Sequence, residues 1–394
     1  MAINNPVIAD ADIIQDTAVA IQEKDHGGKM EFPDIPSRIR ALPTNLIPKT
    51  ITQNGVYNAS SDNADGYDVV TVDVDNIYEE VDENAPLVFM DWEGTLLKAY
   101  TYSEVMALTS LPNYSEINYR VDPFYHEGMT FQGWNWSLAG IKEKVQKEPY
   151  GNLIVGAMVI ASDGVNHNYY YDNKLSNVNA GLMVVKRGST ANIGNNAYPN
   201  KTGLKAVNIP YGVSNIGVAF IQNSYCIVGI VIPQNIVLNA SAIFSSSSLK
   251  RISLPENYTI SSGSNLNLSY MYNLKEGIIY KGVNKISTNY GFINNYLMQK
   301  IHIPSTITSL GNYVFENCNS LLYILLEGTP TLGGTGSFTG NPSNQIIYVP
   351  RANLSFFETE TNWSSIYSST RFQAIEDNIE LLERLGWDVS AYKG

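Results

Sequence analysis

The sequence predicts an α+β protein: an N-terminal helix and small β unit, a small α+β domain, then a repeat solenoid with a C-terminal helical cap. Three observations carry that expectation. First, one pattern (apolar, any, apolar, proline) recurs between residues 181 and 350. It reads VNIP ending at Pro210, IVIP at Pro233, ISLP at Pro255, IHIP at Pro304 and IYVP at Pro350, with degenerate copies ending at Lys281 and Glu327. The intervals are 23, 22, 26, 23, 23 and 23 residues, and Arg187 closes VVKR 23 residues before Pro210. Second, an aromatic follows most ends by 10 or 11 positions: Tyr198, Phe220, Phe244, Phe292, Phe315 and Phe338. The third copy is out of step, with Tyr270 and Met271 farther along. Third, apolar residues make up 44% of the 394, enough for real cores, while charged residues make up only 16%.

One coil cannot bury its own apolar positions, but stacked coils form a continuous core. Val207 and Ile209, Ile230 and Ile232, and Ile301 and Ile303 are the inward residues, and proline ends each strand because it cannot donate to the ladder. The aromatic fills the opposite wall. The expectation stands or falls on Ile209, Ile232, Leu254 and Ile303 forming one column.

The elements before the repeat follow in order. Val7, Ala11, Ile14, Ala18 and Ile21 recur at spacings of 4, 3, 4 and 3, a heptad seam. So short a seam fits either a supercoil with copies of itself or one amphipathic helix packed on its own chain. Residues 1–48 are thus an N-terminal helical assembly or attachment segment. Residues 49–80 form a small β unit and linker, in which the alternation of YDVVTVDV after a Gly-Asn-Asp loop predicts a hairpin.

Residues 86–180 form a small α+β domain. LVFM and NLIVGAMVIAS are strands, HNYYYDN is a partner strand, TYSEVMALTSLP is a helix capped by Thr101 or Ser103, and a second helix starts at Ser137. The solenoid runs over 181–350 and the cap over 351–394, where Asp377 caps a helix with Ile379, Leu382 and Leu385 on one face.

Composition excludes several functions. Lys and Arg number 25 and Asp and Glu 37, a net charge of −12, which opposes nucleic-acid binding. No apolar run is long enough for a membrane span. The start lacks the basic and apolar regions of a secretory signal. Two cysteines, Cys226 and Cys318, lie four coils apart, too far for a disulfide, and are expected as buried thiols. Four scattered histidines suggest no metal site, and no cofactor is expected.

Chemical motifs are weak. MDWEGTLL resembles the nucleophile motif of haloacid-dehalogenase phosphatases, which would make Asp91 the nucleophile, but Glu93 stands where the second aspartate belongs. A turn after a strand is the simpler reading. His126-Glu127 reads as a loop ion pair, and GGTGSFTG at 333–340 reads as a coil turn, without the lysine of a phosphate loop. Trp134 and Trp136 either help bury the small domain or stack on sugar. Tyr169 to Tyr171 alternate on a strand, so a ring such as Tyr170 is a recognition candidate.

In each apolar-x-apolar step, x and the residue before the step point outward. That stripe turns apolar and aromatic toward its C-terminal end. Ile279, Lys300, His302, Tyr323, Leu325, Ile346 and Tyr348 are therefore a candidate recognition surface. The rival account is that the C-terminal helix, through Trp363, Phe372 or Leu382, folds over and covers the stripe.

LMQKIHIPSTITSLGNYVFENCNSL carries an IP step, an I-x-x-L spacing, a VF and a C-x-S-L. In these it resembles the BspA-like leucine-rich repeat family, as does the closing VPRANLSFFETETNWSSIYSSTRFQAIE. The MEFPDIPSRIRAL, ITQNGVYN…GYDVVTV and DWEGT…GMTFQGWNW segments resemble modules of tail and fibre proteins of bacteriophages of Gram-positive gut bacteria. Together these resemblances imply a non-enzymatic virion structural and recognition protein, a fibre or receptor-binding component. They imply assembly through the N-terminus with other virion proteins, as a homo-oligomer with a trimer favoured, and binding of a host-surface glycan or protein through the solenoid. They imply a virion location, assembled in the host cytoplasm and extracellular after lysis. The alternatives are a bacterial cell-surface adhesin of the BspA-like class and, third, a phosphatase at Asp91.

Overall fold

A computed structural model describes residues 46–51, 66–72, 80–121, 129–161, 182–184, 192–195, 206–209, 211–221, 223, 226–243, 248–261, 265–289 and 291–394. The chain divides into two compact units, Met1–Glu80 and Val81–Gly394. In the first, β1 (Leu46–Ile51) and β2 (Gly66–Val72) pair in parallel, Leu46 opposite Gly66 and Ile51 opposite Val72. This corrects the expected hairpin: the connection over 52–65 is long enough for the crossover that a parallel pair needs. The seam residues Val7, Ala11, Ile14, Ala18 and Ile21 lie outside the described residues.

The second unit opens with a four-stranded mixed sheet. Its strands are β3 (Leu87–Met90), β4 (Leu96–Tyr100), β5 (Met129–Trp134) and β6 (Leu153–Ala161), in the order β4-β3-β6-β5, with β3 and β6 parallel. Helix α1 (Tyr102–Ala107) starts at Thr101 in a capping box with Glu104. The one-turn α2 covers Tyr114–Ile117, and in α3 (Leu138–Lys147) the Ser137 hydroxyl accepts from Gly140 N at 3.0 Å. Leu87 and Phe89 pack with Val105, Ile141 and Val145 of the helices. Met90, on the other face, packs with Val159, Ala206 and Val231. The unbroken apolar run of β3 is explained by cover on both faces.

The solenoid then stacks its coils through two ribbons of parallel strands. The front ribbon contains Gly229–Val231 and Arg251–Ser253, then a five-stranded sheet of Glu276–Gly277, Lys300–Ile303, Tyr323–Leu326, Ile346–Val349 and Phe372–Ala374. Ile230 lies beside Ile252, and Ile301, Ile324 and Ile347 follow one another in register. A side ribbon uses short strands such as Asn215–Ile216, Ile236–Leu238 and Ser309–Asn312. The inward residues merge into one core from Ile193 to Phe372, in which Ile209, Ile232, Leu254 and Ile303 all take part.

The aromatic wall is a physical stack. Phe292 to Phe315 and Phe315 to Phe338 are each 5.6 Å between ring centres, and Phe338 to Trp363 is 6.0 Å. Leu268 N donates to Gly291 O just as Phe292 N donates to Val314 O, both at 2.7 Å. The third copy therefore fills the wall with Leu268, not Tyr270 or Met271. By the same backbone register, Phe220 lies level with Ile243; Tyr198 and Phe244 lie outside the described residues.

The next copy, the one that ends at Lys281 in the sequence pattern, shifts by one. Gly277 pairs with Ile301 and points inward, where a Cβ would stand 2.5 Å from Ile301 Cδ1. The step therefore ends at Tyr280, and Ile279 packs against the core instead of facing outward. A one-residue slip exchanges the faces of a strand, so Ile279 is corrected as a recognition residue.

Cys318 is buried, its Sγ 3.2 Å from Phe292 O, and burial pushes its thiol up to about 12. It takes the place that Asn295 fills one coil earlier, where Nδ2 donates to Leu268 O at 3.0 Å and Oδ1 accepts from Met271 N at 2.6 Å. Cys226 is exposed, against expectation, because its neighbour Ile227 takes the inward position.

The chain closes with α4 (Leu354–Thr359) and α5 (Thr361–Ser364), which bring Phe357 and Trp363 onto the end of the aromatic wall. Trp363 Nε1 donates to Pro330 O at 2.7 Å. Helix α6 (Ile379–Arg384) follows, with Asn378 rather than Asp377 at its N-cap. Asp377 instead pairs with Arg351 at 2.5 Å.

Two outcomes follow. Phe315→Ala removes the middle ring of the wall and is expected to cost about 3–5 kcal/mol, read as a lower denaturant midpoint. Thiol titration of the native chain is expected to modify Cys226 alone, with Cys318 reacting only after unfolding.

Candidate functional site

The outward stripe of the front ribbon is covered along most of its length. At the N-terminal end the α+β sheet lies on it. Asn135 is the hub of this contact: its Nδ2 donates to Ile232 O at 3.0 Å and to Ser253 Oγ at 2.9 Å, and its Oδ1 accepts from Gly156 N at 2.8 Å. Ser253 Oγ donates to Ile154 O at 2.7 Å, and Asn208 Nδ2 donates to Val159 O at 3.0 Å. Asn135, Asn208 and Ser253 are all buried; a polar group so placed is costly unless bonded. Gly156 permits the contact, because a Cβ there would stand 2.5 Å from Val231 Cγ2. Glu256 of the solenoid accepts from Ser137 N at 2.8 Å, at the start of α3.

At the C-terminal end, α6 and the segment after it lie over the stripe. Leu325 and Tyr348 are fully buried there with Ile375, Leu382, Trp387 and Val389, and Tyr323 and Ile346 are half-buried against the same cluster. Leu325 and Tyr348 are therefore corrected as recognition residues: their apolar surface is covered by the chain's own cap. Between the two covers, Lys300 Nζ lies 3.1 Å from Glu276 and 6.0 Å from the Trp387 ring centre, and donates to Leu385 O. His302 Nε2 lies 3.4 Å from Glu327. Burial pushes the Glu327 carboxyl up, but His302 and the Ser305 N–H outweigh it and hold it below its ordinary value. Lys300 thus helps to seat the cap, while His302 pairs within the solenoid. The two covers also meet each other, since a Cβ on Gly386 would stand 2.8 Å from Tyr150 O.

Of the remaining candidates, Tyr170 and His126-Glu127 lie outside the described residues. Trp134 is buried and donates to Pro112 O at 3.0 Å; Trp136 is half-buried and donates to Leu254 O at 2.7 Å. Both serve burial. Asp91 is wholly buried, accepts from Tyr114 Oη at 2.9 Å and sits in a turn closed by Gly94 N to Asp91 O at 2.9 Å. That position is closed to a substrate. Residues 335–338 form a 3-10 turn that buries Phe338, as the coil-turn reading requires. Among the described residues no group of three or more His, Cys, Asp or Glu is placed to hold a metal ion, and no helix is long and apolar enough to cross a membrane.

What lies open is an edge of the solenoid that the sequence reading passed over. Tyr270, Asn294, Asn317 and Gly340 stand in one column, all with positive φ: 62°, 60°, 58° and 79°. Backbone bonds join the rungs: Tyr270 N to Ile293 O and Asn294 N to Glu316 O at 2.9 Å, and Asn317 N to Thr339 O at 2.8 Å. Asn317 Nδ2 donates to Asn294 Oδ1 at 2.9 Å. Two residues on, the same register aligns Tyr272, Tyr296, Asn319 and Pro342. The rings of Tyr272 and Tyr296 stack 5.1 Å apart at 16°. Their exposures are 36% and 42%, and neighbouring Leu297 is 47% exposed. The signal available in the sequence was the uncharged runs NLNLSYMYNL and GFINNYLMQ at matching phase.

The family described as the BspA type leucine rich repeat region (6 copies) matches residues 165–297 and 288–379. These ranges span more than half of the chain, and the chain belongs to this family. A solenoid of this kind is typically a binding scaffold. No curated protein matches the chain. Among solved structures it is similar to a leucine-rich repeat protein from Bacteroides ovatus ATCC 8483, at 16% identity and a TM-score of 0.28. The match covers 47% of this chain and 52% of that one, so this chain spans about half of that protein's length.

One electrostatic contact ties the start of the second unit to two coils. Glu83 pairs with Arg251 at 2.5 Å and Lys275 at 2.8 Å, and the hydrogen bonds from Lys275 and Arg251 pull its carboxyl down to about 2. A depressed carboxylate contributes stability that is fully present above its ordinary value of 4.5 and is lost as pH falls toward 2. Glu83→Gln is expected to cost about 1 kcal/mol or less at neutral pH for so exposed a group, read as a slightly lower melting temperature. The difference from wild type should vanish in melts near the lower end of that window.

Proposed function

We propose that this chain is a non-enzymatic recognition protein that presents a rigid solenoid to a cell surface. The observation that carries the reading is the division of the solenoid: the front stripe is occupied by the chain's own α+β sheet and cap, while a neutral Tyr and Asn edge stays open. The membership in the BspA-type family supports a surface recognition role. A buried, tyrosine-bonded Asp91 supports the non-enzymatic part.

In its finer form the proposal is a bacteriophage fibre or receptor-binding component. Such a chain assembles through residues 1–80 as a homo-oligomer, a trimer favoured, joins other virion proteins and grips a glycan or protein on its host. It acts outside the cell after lysis, without nucleic acid or membrane insertion. The resemblance of three front-half motifs to tail and fibre modules supports this form. Weak contacts multiplied by valency then provide the grip. The second reading, a bacterial cell-surface adhesin, is favoured by the family itself.

Sedimentation and cell binding test the proposal. The expected result is an oligomer for the full chain, a monomer once residues 1–80 are removed, and retention of labelled full chain on Gram-positive gut bacteria. A monomeric full chain contradicts the fibre form. Retention on animal epithelial cells alone favours the adhesin. Retention on neither, or phosphate-ester hydrolysis lost in Asp91→Asn, overturns the proposal.

A further inference from the structure

Resting on the recognition reading, and naming its site and ligand class, the geometry points to the Tyr272–Tyr296 edge as a binding site for an uncharged oligosaccharide. The first support is charge. The chain carries a net −12, yet the column Tyr272, Tyr296, Asn319 and Pro342 has no charged member. The column beside it, Asn273, Leu297, Ser320 and Ser343, has none either. An anionic glycan needs a cation to receive it, and this edge offers aromatic faces, amides and hydroxyls.

The second support is chemistry matched along the edge. A sugar ring has an apolar C–H face and a rim of hydroxyls. Tyrosine presents area and a hydroxyl at low entropic cost, and an asparagine amide both donates and accepts. Here aromatic rings occupy two consecutive rungs, and Asn319 stands on the next. At ~4.8 Å per rung, the four rungs from Tyr272 to Pro342 extend about 14 Å, an elongated track suited to a short chain of sugars.

The third support is order. Backbone bonds of 2.8–2.9 Å hold the adjacent rungs, and the stacked rings hold each other at 5.1 Å. A site already in place loses little freedom on binding. The exposed apolar area is a few side chains, well below the ~800 Å² per partner of a standard protein interface. A glycan contact, weak singly, fits that size.

The test uses the full chain on a printed array of uncharged and anionic oligosaccharides, then calorimetry with the strongest uncharged hit. Tyr272→Ala and Tyr296→Ala are each expected to weaken binding about tenfold, and Asn319→Ala severalfold, with melting temperatures near wild type because these side chains are exposed. Binding of anionic oligosaccharides alone, of none, or of an uncharged one that all three variants retain, overturns the assignment. Whole-cell binding separates it from the broader reading. If cells retain the Tyr272→Ala/Tyr296→Ala double variant as well as wild type, the edge assignment fails and the recognition proposal stands. If cells retain neither protein, both fail.

Discussion

Every coil of this protein has two sets of apolar side chains to remove from water, and it can bury neither by itself. The inward set, from Ile209 through Ile232 and Ile303 to Val349, is shielded by the coils above and below. Parallel backbone bonds hold the rungs in register so that like sits on like. This constraint explains the aromatic wall, the amide column that Asn295 begins, and the placement of Cys318 within it. Each feature repeats at the rung spacing because the backbone does.

The outward set has no such neighbour. Ala206, Val231, Leu325 and Tyr348 would face solvent on a bare solenoid. The chain covers them with two additions of different design. The α+β sheet makes a contact with a buried polar centre, Asn135, whose amide bonds both layers. The terminal cap makes an apolar contact around Leu382 and Trp387, bordered by Lys300 and the His302–Glu327 pair. A solenoid whose sheet face is occupied in this way leaves its edges, not that face, open to solvent.

Much of the architecture was legible in the residues. The repeat spacing, the inward columns, the Thr101 and Ser137 caps and the terminal α6 face all come from local periodicity and local hydrogen bonding. The misreadings have a common origin. A 26-residue interval hid a one-residue slip at Gly277, so Ile279 seemed to point outward. Cys226 seemed equivalent to Cys318 because their phases are close, yet Ile227 beside it takes the inward place. The alternation in YDVVTVDV is compatible with a parallel or an antiparallel neighbour, and only the pairing of β1 with β2 distinguishes them.

By itself, then, the sequence determined that coils stack and, where the interval between copies is regular, which side chains face their interior, because a repeat every two dozen residues imposes that on any chain that folds as one. Only the tertiary structure decided what lies against the outer side. Period-two alternation separates one face of a strand from the other, but it is blind to whether the second face meets water or another layer of the same molecule. For Leu325 and Tyr348 that layer is the cap, and for Ser253 it is Asn135.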